Sequence, residues 1–328
     1  MLVFAFIRLS KITDDPAMMW FATLVAWRYS RFFVLLFYFW RYKPAGCPPD
    51  RKFGPNDVTI IIPTISVSSN SHFEECVATA LVNTPAAVLI VTDTRESEVE
   101  IYRRLENISR GASVVQVMHV GVPNKREQMA HAFRALETTL AVCMDDHVFL
   151  SPRFLENVIL PFEQTNKNGN PRIGLCGTKK SVRRYKSSSS SLWQRYWEDF
   201  WNVMGALYLT RHNFEIRATN AMDGGVFVVS GRAFVILSEI VKNSAFIKEF
   251  TNEEFFFNLF GPLAPDDDNF ITRWVLQLPE QYQIKIQYTD DATIETTLGQ
   301  YPKFLGQCLR WARTTYRSNL CALITELV

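Results

Sequence analysis

A run of β-prone, apolar residues that stops abruptly on charged side chains constrains the fold of this chain most strongly. Val142, Cys143 and Met144 lead into Asp145-Asp146-His147, after which apolar residues resume. This pattern is typical of an inner strand with a polar site at its carboxyl end, which is where ligands bind in open α/β sheets. The alternative interpretation of the acidic pair is a solvated turn that follows a strand.

Asp145, Asp146 and His147 also carry the donor atoms of a metal site. Carboxylate oxygens and imidazole nitrogens are ligands that Mg2+ and Mn2+ accept in proteins. The five histidines of the chain do not pair at metal-ligand spacing, and the H-E-x-x-H motif is absent. The sequence therefore predicts a Mn2+ or Mg2+ ion at the end of this strand rather than a zinc centre.

Strands and helices alternate on both sides of this run. Strands that alternate with helices at such spacing indicate an α/β fold with a doubly wound, mostly parallel sheet flanked by helices. Strands are predicted over 58–62, 86–92, 113–117 and 284–288, and helices over 73–82, 96–108, 125–140, 192–209, 271–278 and 304–316.

The first 43 residues are the most lipophilic part of the chain, with apolar runs over 2–7, 17–27 and 32–40. A transmembrane helix needs about 20 mostly apolar residues, and two arginines interrupt this stretch, which is costly inside a membrane. We therefore expect either an imperfect span or an amphipathic helix in the membrane interface. A soluble pair of aromatic-rich helices is the alternative.

Basic residues follow this N-terminal segment directly. Arg41 and Lys43 place the downstream domain on the cytoplasmic side by the positive-inside rule. The proline- and glycine-rich stretch 44–57 is predicted to be a linker, and the main domain is predicted over 58–318. We therefore expect membrane lipid as a partner and a location at the plasma membrane or a secretory-pathway membrane.

Composition and missing motifs exclude several classes of protein. Hydrophobic residues make up 48% of the chain, which argues against global disorder. The net charge of +2 comes without a long basic block, so no nucleic-acid partner is expected. The absence of G-x-G-x-x-G argues against a dinucleotide-binding site, and the six scattered cysteines fit a reducing compartment.

Residues 177–181 resemble half of a phosphate loop, but the first glycine is misplaced, so only a basic loop is predicted there.

Charged residues recur where the carboxyl edge of the predicted sheet should lie. Asp93 ends the second strand, and Lys125 and Arg126 open the helix before the central strand. Asp267 and Asp268 belong to an acidic cluster at the start of a later helix. Residues from distant parts of the chain are thus expected to meet in one cleft.

A further motif lies near the C-terminus. Gln307, Arg310 and Trp311 fall at positions i, i+3 and i+4 of a predicted helix and therefore share a face. Arginine binds phosphate groups well, and an indole can stack on a sugar ring. The three side chains together suit a sugar diphosphate.

Five motifs in this order resemble those of family 2 glycosyltransferases of the processive, membrane-embedded kind. They are Asp93, Lys125-Arg126, Asp145-Asp146-His147, Asp267-Asp268 and Q-x-x-R-W at 307–311. Cellulose, chitin and hyaluronan synthases are examples, and the likeness to fungal type 2 glycosyltransferases is strong. It covers roughly residues 40–318. The resemblance implies a GT-A-type α/β domain, with a mixed, mostly parallel sheet, that follows an N-terminal membrane-associated helical segment.

The resemblance also implies a role for each motif. His147 stands where the family has a second acidic residue, and imidazole is a competent Mn2+ ligand. By this analogy the donor nucleotide would be bound by Asp93, Lys125, Arg126 and Asp145, and the metal by Asp145 and His147. The diphosphate and the acceptor sugar would be bound by Gln307, Arg310 and Trp311. Asp268, supported by Asp267, would be the general base.

The implied reaction is an inverting transfer of a sugar from a nucleotide donor, expected to be a UDP-sugar, to a growing glycan at the cytoplasmic face. Two alternatives remain at this point: a non-processive transferase that acts on a lipid or protein acceptor, and a catalytically silent, membrane-tethered scaffold. Family members carry further transmembrane helices after Q-x-x-R-W. Residues 319–328 are therefore expected to be the truncated start of such a region.

Overall fold

The computed structural model describes residues 15–65, 67–108, 111–163, 172–184, 191–254, 261–262, 266–279, 282–298, 303–321 and 323. The apolar run over 2–7 and most of the predicted C-terminal end, 319–328, lie outside the described residues. The helices are α1 (Pro16–Arg41), α2 (Phe73–Val82), α3 (Arg95–Arg104), α4 (Lys125–Arg134), α5 (Phe154–Val158), α6 (Leu192–Asp223), α7 (Ser238–Val241), α8 (Ser244–Thr251), α9 (Asp267–Gln277) and α10 (Lys303–Cys321). The strands are β1 (Val58–Pro63), β2 (Ala87–Thr92), β3 (Val114–His119), β4 (Leu140–Met144), β5 (Val148–Leu150), β6 (Ile173–Val182), β7 (Ala233–Leu237), β8 (Gln283–Gln287) and β9 (Thr293–Thr296).

The strands form one mixed sheet in the order β3-β2-β1-β4-β7-β6-β9-β5, with β8 also paired to β6. The first four strands of this order are parallel, as the sequence predicts for a doubly wound sheet. Strand β7 runs antiparallel to both β4 and β6, which fits the predicted mixed, mostly parallel sheet, although the sequence did not identify which strand is antiparallel. Strands β1, β4 and β7 are buried along their whole length, as expected for inner strands covered on both faces.

Several sequence predictions on local structure are wrong. Helix α3 ends at Arg104 rather than at residue 108, and α6 continues to Asp223 rather than ending at residue 209. Helix α4 ends at Arg134 rather than at residue 140, because Leu140 already pairs with β1 and the Thr138 hydroxyl donates to Thr59 Oγ1 at 2.7 Å. Residues 177–181 are not a basic loop. They lie within β6, which pairs with β7, β8 and β9, so that Lys180 is only 3% exposed.

Residues 16–41 of the N-terminal segment form one continuous helix, α1, which packs along α6. The rings of Phe32 and Phe39 lie 6.1 and 5.1 Å from that of Phe214. Across the part of the chain that the structure describes, no helix is both long and apolar enough to cross a membrane.

The predicted linker is attached to the sheet. The Tyr42 hydroxyl donates to the Ile286 carbonyl at 2.5 Å and accepts from Tyr288 N–H at 2.9 Å. Farther along, the backbone of Ala45 exchanges two hydrogen bonds with the Gln287 side chain. These contacts fix the segment between α1 and β1 against β8.

Candidate functional site

A lysine at the start of α4 joins the end of β4 to the start of α9. Lys125 Nζ lies 2.8 Å from Asp145 Oδ1 and 2.9 Å from Asp267 Oδ2. The amine therefore bridges two carboxylates that are more than one hundred residues apart in the sequence. The structure thus brings together three of the predicted site residues at the carboxyl edge of β4.

The charges of this cluster stabilise one another. Burial disfavours the charged form of both Lys125 and Asp145. Its effect is outweighed, because Asp145 and Asp267 raise the pKa of Lys125 above its usual value. In turn Lys125, with a smaller contribution from His147, lowers the pKa of Asp145. Both groups are therefore charged at neutral pH.

The adjacent carboxylate, Asp268, is held by backbone donors. Its Oδ2 accepts from Gly231 N–H at 3.1 Å, and its Oδ1 accepts from Asn269 N–H at 2.9 Å. Burial, followed by the negative charge of Asp267, raises the pKa of Asp268 although Lys125 opposes the shift. An oriented carboxylate with increased proton affinity is suited to general-base chemistry.

Helix α9 is locked in place around these aspartates. Its first turn carries Asp267 and Asp268, where the helix dipole favours negative charge. The Thr272 hydroxyl donates to the Asp268 carbonyl at 2.7 Å and accepts from Val229 N–H at 3.0 Å. Asp266, which precedes the helix, forms an ion pair with Arg317 of α10. The aspartates are thus positioned on one side by the residues that precede β7, and on the other side by Arg317 of α10.

The predicted metal ligands lie at the tip of β4. His147 Nδ1 is 3.1 Å from Asp146 Oδ1, and Asp146 Oδ2 accepts from the Thr64 hydroxyl at 2.6 Å. Among the described residues, no group of three His, Cys, Asp or Glu side chains is arranged to hold a metal. Asp145 and His147 offer two donors, and Mg2+ at phosphate sites commonly takes one or two protein ligands while phosphates and water supply the rest. The residues therefore fit an ion shared with a diphosphate, not an all-protein cage.

Asp93 lies on the same edge of the sheet but outside the cluster. It follows the end of β2, and its Oδ1 accepts from the Thr92 hydroxyl at 3.1 Å. Strand β1 separates β2 from β4. Two interstrand spacings put Asp93 about 10 Å from the strand of Asp145, a distance that a nucleotide could span.

Helix α10 carries Gln307, Arg310 and Trp311 next to the cluster. The Trp311 ring stacks on Tyr208 of α6 at 4.9 Å, and the Arg232 guanidinium lies 5.1 Å from the Trp311 ring centre. The Arg232 carbonyl in turn accepts from Asp145 N–H at 3.0 Å. Trp311 and the tip of β4 are thus connected through one residue. Gln307 is partly buried and Arg310 is exposed on the same helix.

Arg126 does not join the site, contrary to the predicted nucleotide contact. Its side chain is fully buried, where Nη1 donates to the Phe250 carbonyl at 2.9 Å and Nη2 pairs with Glu253 Oε2 at 2.5 Å. Its guanidinium also packs against the rings of Phe250 and Phe270. In this position it stabilises the contact between α4, α8 and α9 and cannot reach a ligand.

Replacement of Arg126 by alanine is expected to lower the free energy of unfolding by about 3–5 kcal/mol, because it leaves Glu253 without one of two partners in a buried site. Urea unfolding would measure the change. Arg103→Ala, which removes a largely exposed ion pair with Glu100, should cost less than about 0.5 kcal/mol and serves as the control. Unchanged stability with loss of nucleotide affinity would instead restore the predicted ligand role.

Sequence reasoning missed Arg232 and Gly231, which complete the site. Both precede β7, and the beginning of this antiparallel strand lies at the same edge as the end of the parallel strand β4. A glycine and an arginine directly before the apolar run 233–237 were the available signal. It could not be used because the prediction of a mixed, mostly parallel sheet did not say which strand runs antiparallel.

A family model and the curated relatives place the chain in the same family. Residues 55–314 match the model described as glycosyltransferase like family 2. The chain is 36% identical over 302 residues to a type 2 glycosyltransferase of Gibberella zeae, which covers 91% of this chain and 53% of the relative. It is 33% identical over 313 residues to a type 2 glycosyltransferase of Pyricularia oryzae, which covers 94% and 60% respectively. The chain thus spans 53% to 60% of the length of these curated relatives.

Among solved structures, the fold is similar to that of a mannosyltransferase from Pyrobaculum calidifontis in complex with GDP-Man and Mn2+. The TM-score is 0.57 at 16% sequence identity, and the match covers 91% of this chain and 74% of the other. The likeness supports the predicted GT-A-type arrangement, a curled, mixed but mostly parallel sheet flanked by helices.

Proposed function

Because the chain belongs to glycosyltransferase like family 2, we propose that it is an inverting transferase that moves a sugar from a nucleoside diphosphate donor to an acceptor hydroxyl. The observation that carries this proposal is the Lys125 bridge between Asp145 and Asp267, with Asp268 directly beside it. A charged strand end and a proton acceptor of increased pKa meet there in one place. That combination is what an in-line displacement at a sugar carbon requires.

Asp268 is the proposed general base. Its Oδ1 accepts the N–H of Asn269 and, at 3.3 Å, the side-chain amide of the same residue, whereas Oδ2 accepts the Gly231 N–H and keeps a further lone pair for the acceptor hydroxyl. As the acceptor oxygen attacks the anomeric carbon, its proton passes to Asp268. The bond between the anomeric carbon and the diphosphate oxygen breaks, and its electron pair leaves with the diphosphate. A single displacement of this kind inverts the anomeric configuration.

Cationic side chains near Trp311 are proposed to stabilise the leaving diphosphate. Arg232 lies over the Trp311 ring, and Arg310 is close enough to contribute to the lowered pKa of Arg232, although burial is the main cause. Fixed positive charge directed at a developing negative charge is a large source of catalysis. A Mn2+ or Mg2+ ion held by Asp145 and His147 would add positive charge at the diphosphate oxygens.

The remaining predicted residues suit the two ends of the donor. Asp93, on the far side of β1, is placed for the base or ribose of a nucleotide, and Gln307 and Trp311 for the sugars. We propose a UDP-sugar as donor and a growing glycan as acceptor. The structurally similar mannosyltransferase binds GDP-Man, so a guanosine donor belongs in the same assay.

Nucleoside diphosphate release is the experiment that tests this function. The purified protein would be incubated with UDP-glucose, UDP-N-acetylglucosamine, UDP-galactose and GDP-mannose in the presence of Mn2+. Turnover of one donor supports the proposal, and the length of the product separates a processive enzyme from a single-transfer enzyme. Binding of UDP or GDP without any turnover would favour the silent scaffold.

We further propose that α1 rests on the cytoplasmic face of a membrane. Many large apolar side chains of this helix are exposed, and Phe21 and Leu24 are 65% and 60% exposed. Arg28 and Arg31 are exposed on the same helix and can meet anionic headgroups. Apolar and basic side chains displayed together are typical of helices that lie in a membrane interface.

The combined replacement Phe21→Ser and Leu24→Ser is expected to lower the partition coefficient onto vesicles of phosphatidylserine and phosphatidylcholine at least tenfold, since each apolar side chain buried is worth about 1.5–3 kcal/mol. Co-sedimentation over a range of lipid concentrations measures this coefficient. The control is the combined replacement Val82→Ser and Val99→Ser, because these valines are also exposed but lie on α2 and α3. Equal binding of all three proteins would refute membrane contact through α1.

A further inference from the structure

A buried lysine and a histidine face each other beside the proposed base. Lys180 of β6 is 3% exposed, and its Nζ lies 2.8 Å from His212 Nδ1 of α6. The backbone of Lys180 is fixed because its carbonyl accepts from Asn213 Nδ2 at 2.6 Å. The pair is therefore a built feature of the interface between strand and helix, not a surface contact.

The surroundings of this pair are strongly cationic. Burial lowers the pKa of His212, and Lys180, Arg232 and Arg211 lower it further. Within the described residues, no carboxylate forms an ion pair with Lys180 or His212, and Asp268 acts on Lys180 only from a greater distance. Buried cations are normally paired with an anion, because an uncompensated charge is costly away from water. Burial, followed by the charge of Arg232, lowers the pKa of Lys180 well below its usual value, so the pair carries reduced charge by itself and a bound anion would favour its protonated form.

The position of the pair relative to the base is set by the sheet. The pairing of β6 with antiparallel β7 reaches Gly177 and Phe234, and from there Lys180 and Gly231 each lie three residues farther toward the same edge of the sheet. Gly231 N–H is one of the two backbone donors that hold Asp268. Lys180 therefore lies on the side of Asp268, whereas Lys125 lies on the side of Asp145, where the donor diphosphate is proposed to bind.

We propose that Lys180 and His212 form a subsite for an anionic group, a phosphate or a carboxylate, carried by the sugar acceptor. This inference rests on the proposed transferase function. The acceptor would place its hydroxyl at Asp268 and its anionic group at the Lys180–His212 pair. An anion of the same chemistry is present in the leaving diphosphate, so the test must separate the two sources.

Calorimetric titration of inorganic phosphate tests the subsite. Phosphate would be titrated into the protein alone and into protein saturated with Mg2+ and either UDP or GDP, whichever binds. We expect phosphate to bind in both cases, and Lys180→Met to weaken that binding by about tenfold to a hundredfold, as for loss of a charge-assisted hydrogen bond. The affinity for the nucleotide should change less than twofold.

Lys179→Met is the matched control. Lys179 is the neighbour of Lys180 on β6, but its Nζ pairs with Asp290 at 2.5 Å on the surface, so phosphate binding should not change. His212→Gln provides a second variant, expected to weaken phosphate binding in the same direction, if Lys180→Met does not fold. Phosphate that competes with the nucleotide, or that binds equally well to both subsite variants, would overturn the proposal. Absence of nucleotide binding by the unaltered protein would instead count against the proposed function.

Discussion

Replacement of Asp268 by asparagine is expected to lower kcat about 10^2- to 10^4-fold, the range for loss of a positioned general base. The amide keeps the shape of the carboxyl group but cannot take the proton of the acceptor hydroxyl. The KM for the nucleotide donor should change little, because the donor is proposed to bind on the Lys125 side of the cluster. Steady-state release of nucleoside diphosphate in the presence of acceptor measures both constants.

The control for this variant is Asp291→Asn, which removes a partly exposed carboxylate paired with Arg153 and should leave kcat within twofold. Thermal unfolding of Asp268→Asn must stay within a few degrees of the unaltered protein, since Asp268 also accepts two backbone hydrogen bonds. A folded Asp268→Asn protein with nearly full turnover would remove this carboxylate from the mechanism.

The same carboxyl group sets the acid limit of activity. Burial, and after it the charge of Asp267, raise the pKa of Asp268. Because the base must be ionised, kcat/KM should fall with decreasing pH at a value above the usual pKa of aspartate, about 3.9. In Asp267→Asn the neighbouring negative charge is gone, so the pKa of Asp268 falls and the acid limb moves to lower pH. An acid limb of the kcat/KM profile that stays in place, or that moves to higher pH, would contradict this assignment.

The first half of the sheet was predictable from sequence because its signals are local. Strands β1, β2 and β4 are continuous apolar runs, and each is followed or preceded by a helix of the right length for a parallel crossover. The direction of β7 could not be predicted in this way. It is reached through α6, a helix of 32 residues, and a local pattern does not fix on which side such a long connection returns to the sheet.

The site shows the same limit at the level of single residues. Lys125 and Arg126 are adjacent cations, but successive helical residues point about 100° apart, so one faces the site and the other the core. Which one faces the core is decided by Phe250 and Phe270, more than one hundred residues later. Lys180 was missed for a related reason, since a basic sequence gives no sign that two neighbouring strands will bury it.

Replacement of Asp145 by asparagine is expected to lower kcat/KM about 10^2- to 10^3-fold, the usual effect of removing one preorganised electrostatic group. Asp145 is proposed both to help hold the metal and to anchor Lys125. The amide loses the negative charge for both purposes. Binding of UDP or GDP, whichever the enzyme uses, should also weaken in the presence of Mn2+, and calorimetry would measure this loss separately from turnover.

The two purposes of Asp145 can be separated by a second variant. Lys125→Met removes the bridge but leaves the metal ligands, so it should destabilise the protein by leaving Asp145 and Asp267 without their shared cation. In the Lys125→Met background, Asp145→Asn should recover stability, because one of two facing carboxylates becomes neutral, and should still reduce Mn2+-dependent nucleotide binding. Asp290→Asn, a fully exposed change, is the control for both readouts. If Asp145→Asn affected nucleotide binding equally with and without Mn2+, the carboxylate would act through Lys125 alone.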